Sequence, residues 1–143
     1  MPVKAQNPKH KAQKMTNEVQ QEKKIFDLEE RSRTFAMNVR HFTSTLQKTQ
    51  ANIEDGKQLV RSSGSVGANY IEANECLSRK DFVFRIRICR KESRESSYWL
   101  SLISINTEEL EGVRKRLYRE SLELARIFST IMWNTEAKIK SSK

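Results

Sequence analysis

Leu59, Ser63, Val66, Tyr70, Ala73 and Leu77 recur in steps of four, three, four, three and four, and the run passes through Gly64 and Gly67 without losing phase. That alternation keeps side chains on one stripe of a helix. The segment RSSGSVGANYIEANE, residues 61–75, therefore reads as the middle of a helix and not as a loop. Each interior glycine costs about 1 kcal/mol relative to alanine. Ser62, Ser63, Gly64, Ser65, Gly67 and Ala68 make a thin waist there, and close approach of a neighbouring helix is the expected compensation.

The same spacing organises most of the chain. Leu28, Ser32, Phe35, Val39, Phe42 and Leu46 place a first helix at about 27–47, started by a capping box of Asp27 with Glu30. QKTQANIEDG then reads as the turn into the second helix, placed at 53–77. Ser78 with Asp81 starts a third helix directly after it, carrying Phe82, Ile86, Cys89, Ser93, Ser96, Leu100 and Ile103. Asn106 with Glu109 marks the fourth, with Leu110, Val113, Leu117, Leu124, Ile127 and Ile131 as its stripe and Glu120 as an interruption. With only 4 Gly and 2 Pro and 31% charged residues, strands have little support. The expected fold is an all-α, up-down-up-down antiparallel four-helix bundle. Residues 25–136 form the bundle, 1–24 a basic disordered N-terminal tail and 137–143 a basic C-terminal tail.

The formal charge of +9 is concentrated in two places. Residues 1–24 carry +4, and residues 79–94 carry +5 through Arg79, Lys80, Arg85, Arg87, Arg90, Lys91 and Arg94. Localised excess of this kind fits a polyanion, while a solubilising tail and an ordinary solvated helix face account for the charge count equally well. No window holds the roughly eighteen consecutive apolar residues of a membrane span, and no apolar leader opens the chain, so a cytoplasmic protein without membrane partners is expected. Cys76 and Cys89 are too few for a disulfide framework and read as reduced thiols.

The third helix is more apolar than a bundle needs. Phe84, Ile88, Trp99 and Leu102, with Tyr98 beside them, project away from its core stripe. An aligned second stripe of this kind points to a buried contact with another subunit, hence a homo-oligomer; a wide core in a monomer is the alternative. On the second helix Arg61, Ser65, Asn69 and Glu72 share a polar face, and Glu92 and Glu95 offer carboxylates to the arginines.

No motif for chemistry emerges. His10 and His41 stand alone, and there is no Glu-x-x-His pair, Cys-x-x-Cys or phosphate-binding glycine loop. Glu72, Glu92 and Glu95 could hold a divalent ion for phosphodiester hydrolysis, but arginine-rich surroundings explain them more simply as ion-pair partners. A non-enzymatic protein without a cofactor or metal is expected. The candidate nucleic-acid-binding residues are Lys80, Arg85, Arg87, Arg90, Lys91 and Arg94. All but Arg85 fall within about a third of the helix circumference, and the planar arginine fork suits phosphate oxygens. Such a surface takes RNA or DNA through its backbone, with little base selectivity.

QLVRSSGSVGANYIEA at 58–73, SRKDF at 78–82 and KESRESSYWL at 91–100 resemble the bacterial four-helix bundle family of 23S rRNA intervening-sequence proteins, which also includes the accessory variability proteins of diversity-generating retroelements. The resemblance covers the first three helices well, the fourth less closely, and leaves out residues 1–24. It implies a homopentameric ring with a basic surface for nucleic acid, RNA before DNA. It also implies a second possible role, an accessory scaffold bound to a reverse transcriptase. By position Arg61, Ser65, Asn69 and Glu72 match the family's second-helix motif, and Asp81, Phe82, Glu92, Glu95, Tyr98 and Trp99 its third-helix motif. Arg85 stands where relatives often carry lysine, and the proline that often follows their first helix has no counterpart.

Overall fold

The computed structural model describes residues 28–142, which form four helices. They are α1 (28–44), α2 (Gln50–Asn74), α3 (Arg79–Leu102) and α4 (Glu108–Ser141). The expected Asp27 cap and the N-terminal tail lie outside the described residues. α1 buries Leu28, Ser32, Phe35, Val39 and Phe42, with Leu46 just past its end, which is the stripe its spacing predicts.

The contacts fix an up-down order. Between α2 and α3, Arg61 meets Glu95, Ser62 meets Ser96, Val66 meets Cys89 and Asn69 meets Arg85, so the two helices run in opposite directions. Arg87 of α3 reaches Met132 and Glu136 of α4, and Arg114 of α4 bonds the Ile103 carbonyl. α4 closes back on α1 through Arg31 and Glu120, 2.6 Å apart. The result is a four-helix bundle around Phe35, Leu59, Ile86, Leu100, Leu124 and Phe128. Tyr70 and Phe128 pack across it with ring centroids 5.9 Å apart.

Gly64 and Gly67 lie inside α2, as the unbroken stripe requires, but only one of them answers to close packing. A Cβ on Gly67 would stand 3.4 Å from the Ser32 Cβ and 3.9 Å from its carbonyl carbon, so the α1 backbone approaches there. Gly64 faces only the movable guanidinium of Arg40. The other side of the waist receives α3, where the Ser62 and Ser96 hydroxyls are 2.8 Å apart.

Several boundaries differ from those the sequence predicts. α2 starts at Gln50 and not at 53, because the Thr49 hydroxyl accepts the Asn52 N–H; Gln50, Ala51 and Asn52, which read as turn residues, are helical. Asn52 is buried and clamps the α3–α4 connection, donating to the Ser104 carbonyl and accepting the Ser104 N–H. At its other end α2 stops at Asn74, the Glu75 N–H closing on carbonyls of the last turn. Leu77, assigned above to the core stripe, is fully exposed in the α2–α3 connection. The cap of α4 is Thr107, one residue after the expected Asn106, since its hydroxyl accepts the Leu110 N–H.

The stripe of α4 is also corrected. Its buried residues are Leu117, Ser121, Leu124, Ala125, Phe128 and Met132. Ser121 fills the step where Glu120 had seemed to interrupt, and Glu120 turns aside to Arg31. Ile127 and Ile131 sit at the edge of the core, packed against it but only half-buried. The helix continues through residues 137–141, which composition had assigned to a tail.

Candidate nucleic-acid interface

The polar residues singled out on α2 and α3 form two linked groups along the α2–α3 seam. Arg61 pairs with Glu95 and stands 3.5 Å from Glu92. The Trp99 indole N–H donates to Glu95 at 3.2 Å, which fixes that carboxylate between a cation and a ring. One turn further along, the Asn69 amide donates to Ser65 Oγ at 2.9 Å and accepts from Arg85 at 3.2 Å. Glu72 stands apart from both groups, beside a hollow shared with Cys76, Asp81, Phe84 and Arg85.

Glu92 is the least satisfied member. Its side chain is buried, and its Oε2 accepts no hydrogen bond. Burial, with the neighbouring Glu95 second, holds its pKa above the usual carboxylate range, against the pull of Arg61 and Lys91. The three carboxylates proposed for a metal do not converge, and among the described residues no cluster of three or more metal-ligating side chains exists.

The six basic candidates divide by partner. Arg85 is engaged by Asn69, and Arg87 by Glu136 at 2.5 Å and the Met132 sulfur at 3.5 Å. Lys80, Arg90, Lys91 and Arg94 form no ion pair with any described residue. Lys80, Lys91 and Arg94 are exposed and Arg90 half-buried. Steps of seven, four and three from Lys80 through Arg87 and Lys91 to Arg94 keep the basic row on one side of α3.

Beside that row runs the apolar stripe. Phe84, Tyr98 and Leu102 are 60%, 56% and 46% exposed, while Ile88 and Trp99 are half-buried. Tyr98 and Trp99 meet edge to face, with centroids 5.1 Å apart. Sequence reasoning missed Lys115 and Arg119 of α4, which border a groove with Leu100 and Ser101 of α3 and extend the cationic surface across the helix pair. Their i, i+4 spacing was the available signal, hidden by the near-balanced charge of α4. No helix among the described residues is long and apolar enough to cross a membrane.

The family model of the 23S rRNA-intervening sequence protein matches residues 24–129. A crystal structure of a protein of unknown function from the S23 ribosomal protein family of Bacteroides thetaiotaomicron VPI-5482 is similar at 30% identity, with a TM-score of 0.64. That similarity covers 73% of this chain and 97% of the other. No curated protein matches. The chain belongs to the 23S rRNA-intervening sequence protein family.

Proposed function

We propose that this member of the 23S rRNA-intervening sequence protein family is a non-enzymatic, homo-oligomeric nucleic-acid-binding protein that prefers RNA to DNA. The observation that carries the reading is the row of Lys80, Arg90, Lys91 and Arg94, four cations on α3 without a carboxylate partner among the described residues, set apart from arginines that the fold does employ. Unpaired cations on a rigid helix neutralise phosphates and release their counterions, which supplies affinity with little sequence preference. The preference for RNA draws on the family's name, which concerns 23S rRNA.

The subunit contact in this reading is the stripe of exposed Phe84, Tyr98 and Leu102 with half-buried Ile88 and Trp99. Burying it between copies would repeat the basic row around the assembly, as the family resemblance to a pentameric ring implies, and multiply weak phosphate contacts. The same stripe supports a second reading, a protein-binding scaffold that docks a reverse transcriptase. Binding of a structured RNA and a matched DNA duplex, measured across a salt series together with the mass of the free protein, separates the two. Steeply salt-dependent binding by an oligomer, tighter for RNA, supports the first. A monomer that binds neither nucleic acid at low salt supports the second.

A further inference from the structure

α4 carries a second set of exposed apolar side chains, away from the proposed subunit contact. Tyr118, Leu122 and Trp133 are 39%, 43% and 60% exposed. With Lys115, Arg126 and Ser129 they step by three, four, four, three and four, which places all six on one face of the helix. That face borders the basic row of α3. Lys115, Tyr118 and Arg119 share a groove with Leu100 and Ser101, and Arg87 reaches Met132 and Glu136 on either side of Trp133.

We propose that Tyr118 and Trp133 are stacking platforms for unpaired bases, so that the α3–α4 face takes single-stranded stretches of RNA and not only duplex backbone. The assignment rests on the nucleic-acid-binding reading and names the part of the nucleic acid that this face selects. Stacked bases between cations need rings alternating with lysine or arginine. Tyr118 has Lys115 and Arg119 within one turn, Leu122 has Arg119 and Arg126, the latter paired with Glu123, and Trp133 lies on α4 between Met132 and Glu136, which Arg87 of α3 reaches. A protein-binding patch of similar size is instead depleted of charge at its centre. Tyr118 and Trp133 are 15 residues apart, or about 22 Å along the helix, room for several nucleotides.

The test compares an RNA strand of about 12 nucleotides with the duplex it forms with its complement, at one salt concentration, using the full chain. The variants are Tyr118→Ala, Trp133→Ala, the double variant and Trp133→Phe. Each alanine is expected to weaken strand binding by about 5-fold or more, to leave duplex binding and the salt slope unchanged, and to be rescued at position 133 by phenylalanine. Exposed Trp133 fluorescence should quench on strand binding in the unsubstituted protein. Strand affinity unchanged in the double variant overturns the assignment, as does an equal loss for strand and duplex. Unsubstituted protein that binds neither strand nor duplex overturns the nucleic-acid reading itself, and is seen before any variant is made.

Discussion

The Ser62 and Ser96 hydroxyls lie 2.8 Å apart with both residues wholly buried, where α2 and α3 meet through small side chains. Two protons serve three contacts, so one hydroxyl donates to the other and the accepting one donates to its own helix, Ser96 to the Glu92 carbonyl at 2.9 Å or Ser62 to the Leu59 carbonyl at 3.3 Å. The contact is made by small side chains, so its stability depends on closeness and on these hydrogen bonds. Ser96→Leu should cost about 1–3 kcal/mol through overpacking. Ser96→Ala should cost less than about 1.5 kcal/mol, because Ser62 keeps its carbonyl partner. Urea unfolding of both variants measures the difference, and equal losses would contradict the close approach.

The glycines of α2 should respond unequally to substitution. A Cβ on Gly56 would meet Thr43 at an ordinary 3.7 Å, so Gly56→Ala should stabilise by about 0.5–1 kcal/mol through helix propensity. Gly67→Leu should destabilise by about 2 kcal/mol or more, since its side chain would drive into Ser32 and the α1 backbone. Thermal unfolding reads both signs.

Glu92 makes stability depend on pH in a definite direction. Its folded pKa is raised, chiefly by burial, so the folded state holds the proton more tightly than the unfolded chain. The destabilisation is absent below the unfolded carboxylate pKa and sets in as pH rises through the carboxylate range toward the raised folded value. Glu92→Gln should therefore raise the unfolding midpoint near neutral pH, and the gain should vanish in acid below the ordinary carboxylate range. A lower midpoint in the variant at neutral pH would show that the Arg61 pairing outweighs burial.

The two thiols should separate by reactivity. Burial pushes the Cys89 thiol up to about 12, and the residue has no exposed surface. Cys76 sits half-buried just past the end of α2. A thiol reagent should label one group per chain quickly, that group should disappear in Cys76→Ser, and Cys89 should react about 100-fold more slowly or only on unfolding.

The core stripe of α1, and that of α3 apart from its first turn, where Val83 is buried and Phe82 only half-buried, were legible in sequence because their apolar and small residues keep an unbroken period, and α2 kept it through two glycines for the same reason. Leu77 misled because a correctly phased leucine carries no sign that the backbone has already left the helix at Glu75. Ser121 was invisible because a buried serine on α4 looks like a surface residue until Leu117 and Leu124 are seen on either side of it. Thr107 was passed over for Asn106, whose pattern with Glu109 matched in spacing, and Thr49 was read as part of a turn, whereas the hydroxyl that meets a free N–H decides. Within the candidate site, the sequence located the cations but not their partners. Which of them the fold employs depends on residues such as Glu136, 49 positions away from Arg87.

The central claim is that Lys80, Arg90, Lys91 and Arg94, cations of α3 without an ion pair among the described residues, bind phosphate. The most direct measurement is the salt dependence of RNA affinity for the unsubstituted chain and for the combined Lys80→Gln, Arg90→Gln, Lys91→Gln and Arg94→Gln variant, with helix content checked in both. The account predicts a linear fall of log affinity with log salt, and a slope shallower by about 3 in the variant. A slope that the four substitutions leave unchanged would contradict it.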